Sequence, residues 1–220
     1  SGLAHIAAYV ANADIDNTAE YVYGGDLKGN VWRFDLTDNT GGITYTPTKL
    51  AELKDDGGIN TQPITSVPEL ANISIDSLSK RFVYVGTGKY LGNSDVATTQ
   101  TQTMYGLIDD ISVTTSPVIP SLTRASLQQQ SFNTSGTSRT ITTITPDYST
   151  KKGWYIDLPS SGERINSDPI LALGALVFTS NIPSSTVCVP GGRSWLNVVD
   201  YQTGGKLTGS TVAWSSTELG

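Results

Sequence analysis

The stretch that decides the fold lies at residues 21–36 and reads YVYGGDLKGNVWRFDL. Two runs rich in β-branched and aromatic residues flank a short turn at residues 27–29, and this pattern predicts a β-hairpin. In the second run Trp32, Phe34 and Leu36 occupy alternate positions. Successive side chains of a strand point to opposite faces, so we expect these three to face the core.

Similar runs recur along the chain between clusters of Gly, Pro, Asn and Asp, which is typical of strands joined by turns. Evidence for helices is thin, because residues 68–80 carry many β-branched and Ser residues. Residues 120–130 fit either one short helix or a long polar loop. Further strands are expected at residues 64–70, 81–88, 104–110, 153–158, 169–173, 175–179 and 194–200.

A weak internal repeat runs through these strands. Each unit has an aromatic and β-branched strand, a Gly or Ser turn and a second strand ending in Asp, and the units contain Tyr23, Tyr84 and Val177. Repeated meanders of this kind are typical of propeller blades. We therefore expect an all-β fold: a partial, modified β-propeller of antiparallel meander blades with long loop insertions, such as residues 132–146.

The length fits about three or four blades of four strands, whereas a closed propeller usually has more. The chain also starts at Ser1-Gly2-Leu3, without Met. We therefore interpret residues 1–220 as the later part of one larger propeller domain.

The chain is acidic, with 14 Lys and Arg against 20 Asp and Glu and a net charge of −6. Such a chain lacks the electrostatic footprint of a nucleic-acid-binding protein. It has no apolar run of roughly 18 residues or more, so we expect no membrane insertion.

The single Cys188 excludes a disulfide framework within the chain. It is interpreted either as a buried thiol or as half of a disulfide with a partner elsewhere.

One constellation carries chemistry, just before the first strand of the hairpin. Oxygen-bearing residues stand at every second position there: Asn12, Asp14, Asp16, Thr18 and Glu20. Ca²⁺ prefers about six to eight oxygen ligands, and alternate residues of a loop can converge on one ion, as in an EF-hand. Asn17 stands where an EF-hand has Gly, and Asn also tolerates the left-handed conformation. The sequence predicts a calcium site here; the alternative is a solvated acidic loop.

The search for catalytic residues is largely negative. His5 is the one histidine, and we interpret it as a surface or interface residue. One His and one Cys nearly exclude a zinc site. The pairs Asp35/Asp38 and Asp109-Asp110 are typical of turn formers at strand ends. We therefore expect no catalytic site and no enzymatic activity.

Several motifs, in order, carry a resemblance to a known family. The first is the stretch of residues 16–36, and the others are residues 62–69, 83–92, 102–110 and 153–164, with a tail between Phe178 and Gly205. Together they resemble the PilY1/PilC-type family, the tip-associated adhesins and assembly factors of type IV pili. The likeness spans most of the 220 residues.

The resemblance implies that residues 1–220 are the C-terminal portion of the propeller of a large secreted protein. It implies a non-enzymatic role in pilus extension, surface attachment and twitching motility. It places the protein outside the cell, at the pilus tip or outer-membrane surface. The implied partners are pilins or minor pilins at the tip and a host or abiotic surface ligand.

The resemblance also implies a calcium loop just before the Tyr-x-Gly strand, which controls retraction. Position by position, that loop falls on Asn12, Asp14, Asp16, Thr18 and Glu20. The family pattern favours Asp at the first and last of these positions, where this chain has Asn and Glu.

Two alternatives remain open. A quinoprotein-like dehydrogenase shares the blade motif, but needs a calcium-bound quinone, a catalytic Asp in the central channel and stacking aromatic residues. A calcium-free structural propeller needs none of these.

Overall fold

The computed structural model describes residues 2–37, 47–55, 57–110, 122–184, 191–209 and 216–219. These residues form strands, turns and two short 3₁₀ helices, Asn93–Asp95 and Arg124–Ser126. The strands are β1 (Leu3–Tyr9), β2 (Tyr21–Asp26), β3 (Asn30–Asp35), β4 (Pro47–Glu52), β5 (Glu69–Ile75), β6 (Leu78–Gly86), β7 (Thr103–Asp109), β8 (Gln128–Gln130), β9 (Phe132–Ser135), β10 (Ser138–Ile141), β11 (Gly153–Asp157), β12 (Ile170–Ala172), β13 (Ala175–Pro183), β14 (Gly192–Asp200) and β15 (Ser216–Leu219). The all-β expectation is confirmed.

The described strands form three sheets, each built around one unit of the sequence repeat. The first has the order β1-β2-β3-β4, the second β5-β6-β7-β11-β8 and the third β12-β13-β14-β15-β10-β9. The hairpins β2–β3, β6–β7 and β13–β14 lie inside these sheets, so the repeat predicted the blades correctly. This arrangement is that of a partial or modified propeller.

Two features depart from simple antiparallel meanders. Strand β8 pairs with β11 in parallel. The β9–β10 hairpin belongs to the third sheet through pairing of β10 with β15, although it precedes β11 in the chain. Both features involve residues 122–146. For residues 120–130 the sequence left a short helix and a long polar loop as alternatives, and for residues 132–146 it predicted a long loop insertion, where the structure has the β9–β10 hairpin. Residues 122–146 contain the short helix at Arg124 and three strands.

The prediction that Trp32, Phe34 and Leu36, in and just after β3, face the core is wrong. Val31 and Arg33 are buried, whereas Trp32, Phe34 and Leu36 are only half-buried. The reason is that Arg33 forms a buried ion pair with the second sheet, so a charged residue occupies the face that the pattern gave to apolar ones.

The segment of residues 64–70 is also different from the expectation. A strand begins only at Glu69, and Ile64 lies in a connection that contains Pro63. Proline cannot donate to a sheet ladder, and a second proline, Pro68, directly precedes the first residue of the strand. Residues 69–86 form the hairpin β5–β6, whose turn residues Asp76 and Ser77 both have positive φ, as a type I′ turn requires.

Among the residues that the structure describes, the core consists of two apolar clusters, one on each side of the second sheet. One includes Tyr23, Val83 and Leu107, and the other includes Phe82 and Trp154. In both clusters an isoleucine side chain packs directly against the backbone of a glycine. A Cβ at Gly25 would overlap Ile64, and a Cβ at Gly86 would overlap Ile165. The same Gly-to-Ile contact therefore recurs where two successive blades meet the connection to the next blade.

Candidate functional site

The residues predicted to bind calcium lie in one loop, residues 11–20, between β1 and β2. The base of the loop is closed by the Glu20 N–H, which donates to the Tyr9 carbonyl at 3.0 Å. Inside the loop the Asp16 N–H donates to the Asn12 carbonyl at 2.9 Å. The backbone of the loop is therefore held by its own hydrogen bonds.

The two carboxylates with described partners in the loop face backbone N–H groups. Asp16 Oδ1 accepts hydrogen bonds from the hydroxyl and the N–H of Thr18, at 2.5 and 2.9 Å. These bonds favour the charged carboxylate and lower the pKa of Asp16 below its usual 3.8. Glu20 Oε2 accepts from the Ala11 N–H at 2.7 Å. Residues 11–18 are exposed, so the loop is open to solvent.

The donor chemistry of the loop fits a hard cation. Its oxygen atoms come from the carboxylates of Asp14, Asp16 and Glu20, the amide of Asn12 and the carbonyl of Thr18, which are the ligand types that Ca²⁺ takes. Within the ranges that the structure describes, no three His, Cys, Asp or Glu side chains stand together as a metal-binding group. Calcium binding by the loop therefore stays a prediction.

Behind the loop lies a stack of an arginine on two tyrosines, which the sequence did not predict. Tyr9 and Tyr21, the residues at which the loop leaves β1 and enters β2, pair directly across the two strands. The guanidinium of Arg81, from β6 of the second sheet, lies 3.3 Å from the Tyr9 ring centroid and 4.7 Å from that of Tyr21. The Tyr9 hydroxyl also accepts from Asn72 Nδ2 of β5 at 2.6 Å. The loop is thus anchored to the second sheet.

The stack continues into a buried charge cluster around Asp109. Arg81 Nη1 donates to the Tyr23 hydroxyl at 3.2 Å, and that hydroxyl donates to Asp109 Oδ2 at 2.6 Å. Arg33 Nη1 donates to Asp109 Oδ1 at 2.8 Å. Burial, together with the negative charge of Asp109, raises the pKa of Tyr23 far above its usual value, so its hydroxyl stays protonated.

The prediction that Asp109 is a turn former is therefore wrong. It lies in β7, is 1% exposed and joins the first sheet to the second through Arg33. Asp35 does hold a turn, because its Oδ1 accepts from the N–H and hydroxyl of Thr37. Asp38 lies outside the described residues.

A second buried ion pair lies against the third sheet. Arg139 and Glu163 are both fully buried and join at 2.7 and 2.9 Å through two parallel hydrogen bonds. Glu163 Oε1 also accepts from the Ser180 hydroxyl at 2.6 Å, and the Arg139 guanidinium lies 3.6 Å from the Trp195 ring centroid. A bidentate pair with further partners is the geometry in which burial of an ion pair is best compensated.

The sequence pattern of the first hairpin has a structural cause in Asp26. Its carboxylate accepts from the N–H groups of Lys28 and Asn30, from the Asn30 amide and from the Trp32 indole, at 2.8 to 3.2 Å. Burial acts to raise the pKa of Asp26, but these bonds together hold it below 3.8. The spacing of Lys28, Asn30 and Trp32 after Asp26 is thus a spacing of donors around one carboxylate.

The remaining singled-out residues have no described role at a site. His5 is exposed on β1, and Cys188 lies outside the described residues. In the described part of the chain, no helix is long and apolar enough to cross a membrane.

These observations define a class: an all-β, blade-built domain with an acidic oxygen-donor loop at the entry to a blade strand. Comparison with known proteins gives the family. The model of the PilY1 beta-propeller domain matches residues 2–144, and the chain belongs to this family.

Named relatives agree. The chain is 32% identical over 226 residues to a type IV pilus biogenesis factor PilY1 homolog of Xylella fastidiosa, which covers 95% of this chain and 15% of the relative. It is 31% identical over 241 residues to the type IV pilus biogenesis factor PilY1 of Pseudomonas aeruginosa, which covers 90% of this chain and 20% of the relative. The chain therefore spans about one fifth or less of the length of these relatives.

A solved structure supports the fold. The crystal structure of the Pseudomonas aeruginosa PilY1 C-terminal domain superposes with a TM-score of 0.77 at 24% identity, over 99% of this chain and 55% of that one. The family resemblance and the propeller fold expected from the sequence are confirmed.

Proposed function

We propose that this chain is part of a type IV pilus biogenesis factor and supports pilus extension against retraction without catalysis. The observation that carries the proposal is its membership of the PilY1 family, with similarity over 95% of the chain to a relative named as such a factor. Family membership also favours this role over that of a quinoprotein-like dehydrogenase.

The buried carboxylates of Asp109 and Glu163 are already held by protein partners, and this supports a non-enzymatic role. Asp109 is held by Arg33 and Tyr23, and Glu163 is held by Arg139. A general acid or base needs access to a substrate, whereas these carboxylates are sealed between sheets. Their geometry serves the packing of blades.

The proposed location is the outside of the cell, at the pilus tip or outer-membrane surface. There the domain contacts pilins or minor pilins and a host or abiotic surface ligand. The twitching motility and attachment of the cell then depend on it.

The test uses the full-length protein in its own cell. Deletion of the segment that contains residues 2–219 is expected to reduce pilin on the cell surface and to abolish twitching, while transcription of the pilin gene stays unchanged. If the domain acts against retraction, removal of the retraction motor restores surface pilin in the deletion strain. Normal piliation and twitching after the deletion would contradict the proposal.

Calcium is part of the proposed function. Asn12, Asp14, Asp16, Thr18 and Glu20 hold the ion, which supplies positive charge to a loop that otherwise concentrates carboxylates. The carboxylate of Asp16 is available to a cation, because an Asp side chain is ionised at neutral pH and the hydrogen bonds from Thr18 further favour the charged form. The exposure of residues 11–18 gives the ion access.

Calorimetry and thermal melting of the purified domain test the calcium proposal. Millimolar Ca²⁺ is expected to release or absorb heat on binding and to raise Tm, and Asp16→Ala is expected to abolish both effects. Asp147→Ala is the matched control, because Asp147 is also exposed and accepts from the N–H and hydroxyl of the residue two positions later. Equal calcium responses in the wild type and Asp16→Ala would refute the assignment of the ion to this loop.

A further inference from the structure

The stack of Arg81 on Tyr9 and Tyr21 bridges two parts of the fold. The tyrosines belong to the first sheet and mark the two ends of the loop of residues 11–20. Arg81 belongs to the second sheet and is 5% exposed. One side chain therefore touches both ends of the loop from a neighbouring blade.

Arg81 has a weak hold on other partners. It pairs in register with Asp109 on β7, yet the described hydrogen bonds of Asp109 go to Tyr23 and Arg33. Among the described contacts, Arg81 reaches this carboxylate only through the Tyr23 hydroxyl. The Nε atoms of Arg81, Arg33 and Arg139 are all buried without a hydrogen-bond partner, but Arg33 and Arg139 each have a described ion pair and Arg81 has none. The position of the guanidinium accordingly depends on the two rings more than is usual for a buried arginine.

The rings in turn depend on the closure of the loop. The Tyr9 carbonyl accepts from the Glu20 N–H, and the Glu20 carboxylate accepts from the Ala11 N–H. Glu20 directly precedes Tyr21, and Ala11 follows Tyr9 by two residues. A rearrangement of the Glu20 carboxylate therefore acts on backbone next to both rings.

We infer that Arg81 couples the loop to the second sheet, so that a divalent cation in the loop strengthens the contact between the first and second sheets. This inference rests on the proposed calcium binding. By reciprocity, loss of the stack weakens cation binding by the same factor by which the cation strengthens the stack. Arg81 is a positioning residue in this scheme and does not touch the ion.

The test compares Arg81→Lys with the wild type. Lysine keeps the positive charge near the loop but loses the planar group that stacks on the rings, so the comparison isolates stacking from charge. The variant is expected to bind Ca²⁺ about fivefold more weakly in calorimetry, a typical coupling between two sites. Hydrogen exchange in β6 is expected to slow on calcium addition in the wild type and to change little in the variant.

Arg124→Lys is the matched control. Arg124 is also an arginine stacked on a tyrosine, with its guanidinium 4.5 Å from the Tyr155 ring centroid, and it pairs with Asp157 away from the loop. It is expected to lower Tm without a change in calcium affinity. If Arg81→Lys fails to fold, Tyr9→Leu removes one ring from the half-exposed side and Tyr9→Phe retains it; only Tyr9→Leu is expected to weaken binding.

The outcomes separate the two proposals. Absence of any calcium response in the wild type refutes the proposed calcium binding, and the coupling falls with it. Equal calcium affinity and equal protection of β6 in the wild type, Arg81→Lys and Tyr9→Leu refutes the coupling alone and leaves calcium binding in place.

Discussion

Two buried clusters of charged residues in the described part of the molecule consist of the same residue types, arginines and one carboxylate. They differ in the balance of positive and negative charge. The cluster of Arg139 and Glu163 contains one cation and one anion, joined by two hydrogen bonds and sealed at zero exposure. Among its described contacts, the cluster around Asp109 contains two cations, Arg33 and Arg81, and one anion. The first is a closed, balanced pair in which Arg139 also stacks on Trp195. In the second, the additional cation Arg81 has no described ion pair and stacks on two tyrosines.

The difference corresponds to position in the fold. The closed pair lies against the third sheet, far along the chain from the candidate site. The cluster around Asp109 lies directly behind the loop and reaches it through Tyr9 and Tyr21. A cluster whose extra cation is held by aromatic rings is easier to perturb than a balanced pair, which suits a place next to a loop that we propose binds a cation.

Replacement of Asp109 is expected to have the largest effect on stability. Asp109→Asn leaves two buried arginines without their carboxylate, and loss of one partner of a buried pair costs about 3–5 kcal/mol. Urea unfolding of the domain measures the change. The double variant Asp109→Asn with Arg33→Leu is expected to remain destabilised, because Arg81 still lacks a counter-charge; full recovery in that variant would show that Arg81 is balanced elsewhere.

Glu163→Gln is expected to cost somewhat less, about 3 kcal/mol, because only one cation is left unpaired. Here the double variant Glu163→Leu with Arg139→Met is expected to recover most of the loss, since apolar residues of similar volume often replace a buried pair without cost. Urea midpoints of the single and double variants test this. A double variant as unstable as Glu163→Gln would remove the distinction between the two clusters.

Much of the fold was accessible from the sequence because its signals are local. The hairpin of residues 21–36 has its turn chemistry and its strand residues within one short stretch. The three units of the repeat each fall within one sheet for the same reason. The loop of residues 11–20 was found from spacing alone, although its calcium binding stays a prediction.

The features that the sequence did not reveal are long-range. Arg33 and Asp109 are 76 residues apart, and no local pattern predicts that they meet. The only local signal is Arg33 itself, and a charged residue in an alternating strand predicts a solvent-facing side chain. The insertion of the β9–β10 hairpin into the third sheet likewise depends on pairing with β15, far later in the chain.

Asp26 is a third case to set beside the two clusters, because its carboxylate accepts hydrogen bonds from neutral donors rather than from arginines. Asp26→Asn keeps the shape but sets an amide N–H group against these donors, at a cost of about 1–3 kcal/mol. The folded pKa of Asp26 lies below 3.8, so its contribution to stability is complete above the unfolded value and is lost as pH falls through the folded one. The difference in urea midpoint between the wild type and Asp26→Asn is therefore expected at neutral pH and should shrink in strong acid. A difference that persists unchanged in acid would mean that the shape of the turn, and not the charge of Asp26, stabilises the hairpin.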